Sequence, residues 1–368
     1  MNKNVLIIPG GYPPLKFYGG TSISAKNLKD YLDTFTNVYV LSRNLDWRFK
    51  KPNGNLNSND KILFTNDFNL NFNFKFLYDY LRRNKIDTII LFGLLNIHVN
   101  FLRIIFFKIM RLNIIIAPHG ELEKPLLNKF YKRLAILIYK SSKILNDIKF
   151  HSTCSSESLQ IRNLFNVNQS NIFEIENLPI QIDKNIIKTF NKKLLKLVFI
   201  SRIHPKKNLK RIIEYLVKIN HINFIFDIYG NIEDLKYWDS ILSLIEGKKF
   251  ISYKGSLEHK DVISTFSKYD FFIFLTKSEN YGHVIVESLQ AGTPVLLSRG
   301  TTPFDDLNNI AGYLIDEDFE SFEKILSHIS NLNQIDYQEI LNNTKKYLAN
   351  KVNYQNIGMK YLKMLKIL

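Results

Sequence analysis

Short apolar runs alternate with longer amphipathic stretches along most of the chain. Continuous apolar runs are typical of buried parallel strands, and apolar positions three and four apart are typical of helices. The alternation therefore predicts βαβ units and a mostly parallel sheet. In the first half, the predicted strands are 5–8, 38–41, 88–92, 114–117 and 151–154, and the stretches between them include helices at 22–32 and 74–83.

The second half repeats this alternation. A chain of 368 residues exceeds one typical hydrophobic core, so we expect two doubly wound α/β domains. We assign 1–183 and 184–336 to these domains, the polar stretch 181–196 to the linker, and 337–368 to a C-terminal helical segment that can pack back on the first domain. The predicted strands are 197–200, 224–229, 250–253, 271–275 and 295–297, and the predicted helices are 209–219, 261–267, 284–290 and 322–332.

Composition narrows the class of protein. Hydrophobic residues make up 45% of the chain and charged residues 23%, which are globular proportions. The single cysteine, Cys154, excludes an intramolecular disulfide and a multi-cysteine metal site, and it favours a reducing compartment. The first residues lack a signal-peptide pattern and no apolar run is long enough to span a membrane, so we expect a cytoplasmic protein.

The chain is strongly basic. Its net charge is +16, and residues 101–150 hold 10 Lys and Arg against 3 Asp and Glu. The stretches 96–111 and 126–148 have the pattern of basic amphipathic helices, a type that binds anionic membrane surfaces. An anionic partner and a well-solvated, lysine-rich surface explain the charge equally well. Aromatic residues fall mostly in apolar runs, so we do not expect nucleic-acid binding.

The segment 278–287 is the most informative in the chain, because it joins a predicted strand to a predicted helix through Gly282. N–H groups at a helix start bind phosphate, and glycine allows close approach. Glu279 at the strand end suits sugar hydroxyls, and Glu287 on the first helical turns suits ribose hydroxyls, although an acidic residue near a helix start is also common for structural reasons. The residues at the turn itself are Tyr281, Gly282 and His283.

A second loop, after the predicted strand 197–200, carries Arg202 and Lys207. Two cations beside a helix start form a diphosphate site and stabilise a negatively charged leaving group. An ordinary basic surface loop would contain the same residues, so the loop is informative only together with the segment 278–287.

The N-terminal half contributes two weaker signals. Gly19 and Gly20 precede a predicted helix, with Thr21 or Ser22 as its N-cap, and a glycine pair lets a phosphate or sugar approach without a Cβ clash. His119 directly follows the predicted strand 114–117, where it could bond a sugar, although a lone His is as often structural. The chain has neither the glycine fingerprint and acid of a nicotinamide-dependent oxidoreductase nor a histidine spacing typical of metal sites.

Together these motifs resemble those of a retaining GT-B-fold glycosyltransferase of family 4, within the group 1 glycosyl transferases. The resemblance rests on Glu279-x7-Glu287 with 291–295, on 201–208, on 118–120 and on Gly19-Gly20. It covers most of the chain in the right order. It implies two Rossmann-like domains that face each other across a cleft.

The resemblance also implies a role for each matched position. Arg202 and Lys207 would bind the donor diphosphate, Glu279 the donor sugar and Glu287 the ribose. The implied catalytic residues are His119, Arg202, Lys207 and Glu279, and the implied donor-binding residues are Gly19, Gly20, Leu257 (by the base), Tyr281, Gly282, His283 and Glu287. The family needs no metal or other cofactor because its cations replace one, and we expect none here.

The expected reaction is retaining transfer of a hexose-type sugar from a nucleotide diphosphate sugar, with UDP favoured, to a hydroxyl of a surface glycan such as lipopolysaccharide, O-antigen or capsule, free or lipid-linked. Residues 101–150 suggest peripheral attachment to the inner face of the cytoplasmic membrane. Two departures from the family pattern, Asn208 in place of a common glycine and the turn 298–304, leave sugar and acceptor contacts open. The alternatives are a nucleotide-binding homologue with weak catalysis and a basic nucleic-acid-binding protein.

Overall fold

The computed structural model describes residues 3–15, 19–44, 58–65, 73–123, 127, 130–180, 190 and 193–368. The chain divides into two compact units, one of Met1–Leu178 with Tyr354–Leu368 and one of Pro179–Asn353. Most of the predicted linker, 181–189 with 191 and 192, lies outside the described residues. No helix within the described ranges has both the length and the apolar character needed to cross a membrane.

The first unit is built on a parallel sheet with the strand order β3-β2-β1-β4-β5-β6-β7. Its central strands are buried on both faces, as their apolar runs predict. The elements in chain order are β1 (Asn4–Ile8), α1 (Gly19–Leu32), β2 (Asn37–Arg43), β3 (Ile62–Thr65), α2 (Phe74–Arg83), β4 (Ile86–Phe92), α3 (Ile97–Ile109), β5 (Asn113–Ala117), α4 (Phe130–Ser142), β6 (Lys149–Ser152), α5 (Ser155–Phe165) and β7 (Ile172–Glu174).

The predicted N-cap of α1 is wrong. The helix begins at Gly19, which has a left-handed φ of 56°, so Thr21 and Ser22 lie inside the helix. Ser22 is buried, and the Ser24 hydroxyl donates to the Gly20 carbonyl at 3.0 Å. A serine inside a helix can bond back to a carbonyl four residues earlier, as Ser24 does, so serine near a helix start does not by itself mark the boundary.

The second unit contains a parallel sheet with the order β10-β9-β8-β11-β12-β13. The chain moves outward from β8 through β9 to β10, returns to β11 beside β8, and then continues outward on the other side. The elements are β8 (Leu195–Ile200), α6 (Leu209–Leu216), β9 (Phe224–Tyr229), α7 (Leu235–Ile245), β10 (Ile251–Tyr253), α8 (Val262–Phe266), β11 (Phe271–Phe274), α9 (His283–Gln290), β12 (Val295–Ser298), β13 (Gly312–Ile315), α10 (Phe319–Ser330) and α11 (Gln334–Lys351).

Three strands at sheet edges, β3, β7 and β13, were not predicted. The first two are short: β3 has three apolar residues in a row and β7 has two, and most of their residues are only partly buried. Strand β13 begins with Gly312, and glycine normally weakens a strand prediction. A Cβ atom at this position would lie 2.0 Å from the Val295 carbonyl oxygen, so the close approach to β12 requires glycine.

The predicted helical segment 337–368 contains two helices that belong to different units. In the second unit, the Tyr337 hydroxyl of α11 donates to the Asp270 carbonyl at 3.0 Å. The next helix, α12 (Tyr354–Leu365), belongs to the first unit. Its Gly358 packs so close to Tyr31 of α1 that a Cβ atom would lie 2.0 Å from the ring, and the Tyr361 hydroxyl is 3.0 Å from His151 Nε2.

We expect His151 to make the first unit sensitive to acid. The ring is 3% exposed, its Nε2 lies 2.8 Å from the Ile175 carbonyl, and burial lowers its pKa to about 4. An unfolded chain takes up this proton near pH 6.5, so stability is lost as the pH falls from about 6.5 towards 4, by about 2 kcal/mol at pH 5. Urea unfolding at pH 7.5 and pH 5 should show a smaller loss for His151→Gln than for the wild type, and equal losses would contradict this assignment.

Candidate functional site

The sequence-predicted residues of the second unit gather at the carboxyl edge of its sheet. All of its strands are parallel, so the loops after β8, β9, β10, β11 and β12 leave from this one edge. The strand order reverses between β8 and β11, and ligands of open α/β sheets bind at such switch points. Arg202 and Lys207 lie after β8, Leu257 after β10, and Glu279 to Glu287 after β11.

The loop after β8 is shaped by Asn208, which has a left-handed φ of 59°. Asn adopts this conformation more readily than other non-glycine residues. Asn208 can therefore take the place of the family's glycine in this turn. The same loop is tied to the end of β11, because the Lys206 carbonyl accepts the Lys277 N–H at 2.9 Å and the Thr276 hydroxyl at 3.1 Å.

Lys207 and Glu279 form a buried ion pair across the switch point. Lys207 Nζ donates to Glu279 Oε2, and the two side chains are 8% and 19% exposed. The ammonium group also lies 5.2 Å from the centre of the Phe274 ring. Burial lowers the pKa of Lys207, and the Glu279 carboxylate opposes this effect. Lys207 and Glu279, both predicted to contact the donor, thus contact each other, and the Phe274 ring packs against the ammonium group.

Gly282 forms the turn between Glu279 and α9. Its φ of 76° is left-handed, and a Cβ atom would lie 2.8 Å from Ile285 Cδ1 and 3.2 Å from Glu279 Cγ. The Gly282 carbonyl accepts the N–H groups of Ile285 and Val286, which starts the helix. The first turn of α9 therefore begins beside the Glu279 side chain.

His283 opens α9 as a neutral side chain. Desolvation lowers its pKa to about 4, against the carboxylates of Glu287 and Glu279. At neutral pH the ring therefore adds no positive charge to this end of the helix. Tyr281, buried before the turn, has its ring centre 4.7 Å from that of His283.

Glu287 contacts His259, a residue that sequence reasoning missed. His259 Nε2 is 3.0 Å from Glu287 Oε1, and the Glu287 side chain is only 9% exposed. His259 begins a 3-10 turn, His259–Asp261, two residues after Leu257. The partly buried Leu257 packs against the core of the second unit. No spacing motif marks this histidine, because the contact depends on how the loop after β10 lies beside α9.

Arg202 contacts a second missed residue, Glu233. Arg202 Nη1 donates to both carboxylate oxygens of Glu233, at 3.1 Å and 3.0 Å. The Arg202 side chain is 48% exposed and the Glu233 side chain 7%. The half-exposed guanidinium is therefore held at the carboxyl edge of the sheet. The Glu233 carboxylate, in the loop after β9, balances part of its charge.

The Arg202 loop also depends on Gly230. A Cβ atom at position 230 would lie 1.7 Å from the Ser201 carbonyl oxygen, and the residue has a φ of 153°. We expect Gly230→Ala to lower the free energy of unfolding by about 2 kcal/mol, since the backbone must move apart. Urea unfolding measures this loss. The control is Gly247→Ala, because a Cβ at that glycine meets nothing within 4 Å and tests the cost of φ > 0 alone; equal losses in both variants would contradict the clash.

The turn after β12 contributes backbone to the site. The Glu279 N–H donates to the Thr301 carbonyl at 2.8 Å, which ties Glu279 to this turn. Arg299 contacts Asp316 at 2.7 Å, and the Gly300 N–H donates to the Asp305 carboxylate. The turn that departs from the family pattern therefore supports the Glu279 backbone.

The remaining sequence-predicted residues lie in the first unit. Gly19 and Gly20 start α1, and His119 follows β5 with a left-handed φ of 50°. The His119 ring packs 4.3 Å from the Phe92 ring, measured between centres, and 5.7 Å from the His151 ring. The carboxyl edge of the first sheet therefore carries both predicted N-terminal motifs.

Two acidic residues that sequence reasoning missed fix the His119 turn. Glu157 is buried, and its carboxylate accepts the Gly120 N–H at 2.6 Å and the Thr153 N–H at 2.9 Å. Glu121 accepts the N–H groups of Leu94 and Leu95 at 2.7 Å and 3.0 Å. The turn is thereby joined to the loops after β4 and β6. The available signal was an acid three or four residues after a predicted strand, 151–154 for Glu157 and 114–117 for Glu121.

A pocket of the first unit contains two arginines. It lies at the carboxyl ends of β1, β2 and β3, and Arg43 and Arg103 line it together with Ser42 and Thr65. Burial lowers the pKa of Arg103 to about 10, and the nearby Arg43 charge acts in the same direction. Among the residues that the structure describes, no group of three His, Cys, Asp or Glu is arranged to hold a metal ion.

Comparison with known proteins shows which families and structures the chain is similar to. Residues 181–347 match the family model described as Glycosyl transferases group 1. The solved structure of HepE from Anabaena in complex with UDP-glucose is similar over 99% of this chain and 100% of that one, with a TM-score of 0.74 and 14% identity. The structure of WaaG, a glycosyltransferase involved in lipopolysaccharide biosynthesis, is similar over 97% and 98%, with a TM-score of 0.68 and 14% identity.

The chain therefore has the fold of GT-B glycosyltransferases, and its second unit matches the group 1 glycosyl transferases. A curated relative is the GtfA subunit of a UDP-N-acetylglucosamine–peptide N-acetylglucosaminyltransferase from Streptococcus agalactiae, 26% identical over 129 residues. The alignment covers 34% of this chain and spans about a quarter, 25%, of that relative.

Proposed function

We propose that the protein is a retaining glycosyltransferase that uses a nucleotide diphosphate sugar, with UDP-hexose as the preferred donor class. The observation that carries the proposal is the arrangement at the second unit's switch point. There a buried Lys207, the start of α9 and the carboxylates Glu279 and Glu287 share one edge with Arg202. Cations and helix amides bind phosphate, and carboxylates bind sugar and ribose hydroxyls.

In the proposed reaction, the bond between the anomeric carbon and the β-phosphate oxygen breaks, and a bond from that carbon to an acceptor oxygen forms. The electron pair of the broken bond leaves with the nucleotide diphosphate, and the departing phosphate oxygen takes up the proton of the acceptor hydroxyl. Lys207 and Arg202 stabilise the departing diphosphate by placing fixed positive charge next to it. This use of side-chain cations needs no metal ion. Glu279 orients the transferred sugar. The sequence resemblance assigns His119 a contact with the same sugar.

For the acceptor, we propose a hydroxyl of a surface glycan, free or lipid-linked. The arginine pocket of the first unit supports an acceptor that carries an anionic group, because guanidinium groups bind phosphate and carboxylate. Structural similarity to a glycosyltransferase of lipopolysaccharide biosynthesis agrees with this class. A peptide is the second candidate class of acceptor, because the relative GtfA is named as a subunit of a UDP-N-acetylglucosamine–peptide N-acetylglucosaminyltransferase.

A donor screen tests the proposal. Calorimetry with UDP-, GDP- and ADP-linked hexoses should show binding of a UDP-sugar, and slow nucleotide release should follow in its presence. Addition of lipid-linked glycan should accelerate release more than addition of a peptide acceptor. Absence of binding with every donor would overturn the proposed function, and preferential transfer to peptide would overturn the acceptor class.

We also propose that α4 attaches the protein to an anionic membrane surface. One face of this helix exposes Phe130, Leu134 and Leu137, which are 81%, 46% and 61% exposed and follow the spacing of a helical stripe. Arg133 and Lys140, also exposed, lie along one side of the stripe. Apolar side chains flanked by cations suit the boundary between headgroups and acyl chains of anionic lipid. Lys129 of the predicted basic helix lies outside the described residues.

Vesicle sedimentation measures this attachment. We expect binding to vesicles that contain phosphatidylglycerol and little binding to pure phosphatidylcholine. The variant Leu134→Ser/Leu137→Ser should lower bound protein about tenfold, because two exposed leucines no longer insert. Leu235→Ser, which alters a leucine that is 70% exposed on α7, is the control and should bind as the wild type does. Equal binding by all variants would contradict the role of α4.

A further inference from the structure

His259 and Glu287 contact each other at the carboxyl edge of the second sheet. His259 belongs to none of the sequence motifs. His259 Nε2 lies 3.0 Å from Glu287 Oε1. The side chains are 35% and 9% exposed, so the carboxylate is the more buried of the two groups. The contact therefore restricts Glu287 to one orientation.

The two residues come from different parts of the second unit. Glu287 lies on α9, and His259 opens the short turn after β10. That turn is fixed by the Asp261 N–H, which donates to the Glu258 carbonyl at 2.9 Å. Leu257, in the same loop, packs against the core. His259 thus joins the loop expected beside the base to the carboxylate expected beside the ribose.

A carboxylate has two oxygens and about four lone-pair sites, so one contact with His259 leaves room for further hydrogen bonds. A side chain that is already oriented loses less conformational freedom when a ligand binds. Both hydroxyls of a ribose are close together, and a carboxylate must face them in one orientation to accept from both.

We propose that His259 is a positioning residue for nucleotide binding. It orients Glu287 towards the ribose hydroxyls and thereby makes the site discriminate a ribonucleotide from a deoxyribonucleotide. The proposal rests on the proposed function, which assigns the nucleotide diphosphate to this unit.

Calorimetry on the full-length protein with UDP and with 2′-deoxy-UDP tests the proposal. We expect His259→Ala to weaken UDP binding about tenfold, the loss typical of one misplaced charge-assisted hydrogen bond, and to change 2′-deoxy-UDP binding much less. The ratio of the two affinities should therefore fall. His259→Gln keeps an N–H donor and should restore part of the ratio.

His221→Ala is the matched control, because His221 is exposed and precedes β9, at the opposite edge of the sheet. It should leave both affinities unchanged. A general loosening of the fold by His259→Ala would weaken both nucleotides equally, and that result, or an unchanged ratio, overturns the positioning role alone. If the wild type binds neither nucleotide, the donor assignment fails as well.

Discussion

Lys207→Met is expected to lower the turnover number of donor cleavage about a thousandfold, because removal of one preorganised charge from a transition-state site costs ~10²–10³ in rate. Lys207 is buried, so water cannot replace its charge. Methionine keeps an unbranched apolar side chain of similar length against the Phe274 ring. Nucleotide release under saturating donor measures the turnover number.

Two controls separate chemistry from folding. Lys277→Met removes an exposed cation from the neighbouring loop and should retain wild-type turnover. Lys207→Met also leaves the Glu279 carboxylate without this partner, which lowers stability. The double variant Lys207→Met/Glu279→Gln should regain stability without regaining turnover. Turnover near the wild-type value in Lys207→Met would contradict the role of Lys207 at the leaving group.

Glu287→Ala is expected to weaken UDP binding about a hundredfold. Hydrogen bonds to charged groups contribute about 1.5–3 kcal/mol each, so loss of contacts to two ribose hydroxyls at the lower limit of this range weakens binding by about two powers of ten. Alanine is a good helix former, so α9 should persist. Calorimetry with UDP measures the loss.

The control for Glu287 uses a second ligand and a second variant. Pyrophosphate contains no ribose, so its affinity should be the same in Glu287→Ala and in the wild type. Glu246→Ala makes the same change in net charge at an exposed position after α7 and should leave UDP binding unchanged. Unchanged UDP affinity in Glu287→Ala would reject Glu287 as the ribose ligand.

The strands that the sequence predicted share one physical property. Central strands such as β1, β4, β8 and β11 are buried on both faces, so their residues form continuous apolar runs that are visible without any contact information. The edge strands β3 and β7 are harder to predict because they contain only four and three residues, and most of those residues are only partly buried. Helix starts were harder, since serine and threonine occur both as caps and inside first turns, as in α1.

For the site, the motif residues were found because each follows a predicted strand. Parallel strands end at one edge, so position after a strand predicts location in the fold. This reasoning brought Arg202, Lys207 and Glu279 to one edge, but it did not reveal which of them touch.

The order of apolar runs and loop motifs was thus enough to predict two α/β units and the residues at the edge of the second sheet. The three-dimensional packing added the partners: Glu279 for Lys207, Glu233 for Arg202 and His259 for Glu287. The apolar pattern of a buried strand involves only a few neighbouring residues, so a short stretch of sequence is enough to recognise it. Pairs of side chains from separate elements depend on strand order and loop shape. Contacts of about 3 Å between such side chains are therefore fixed only by the folded sheet.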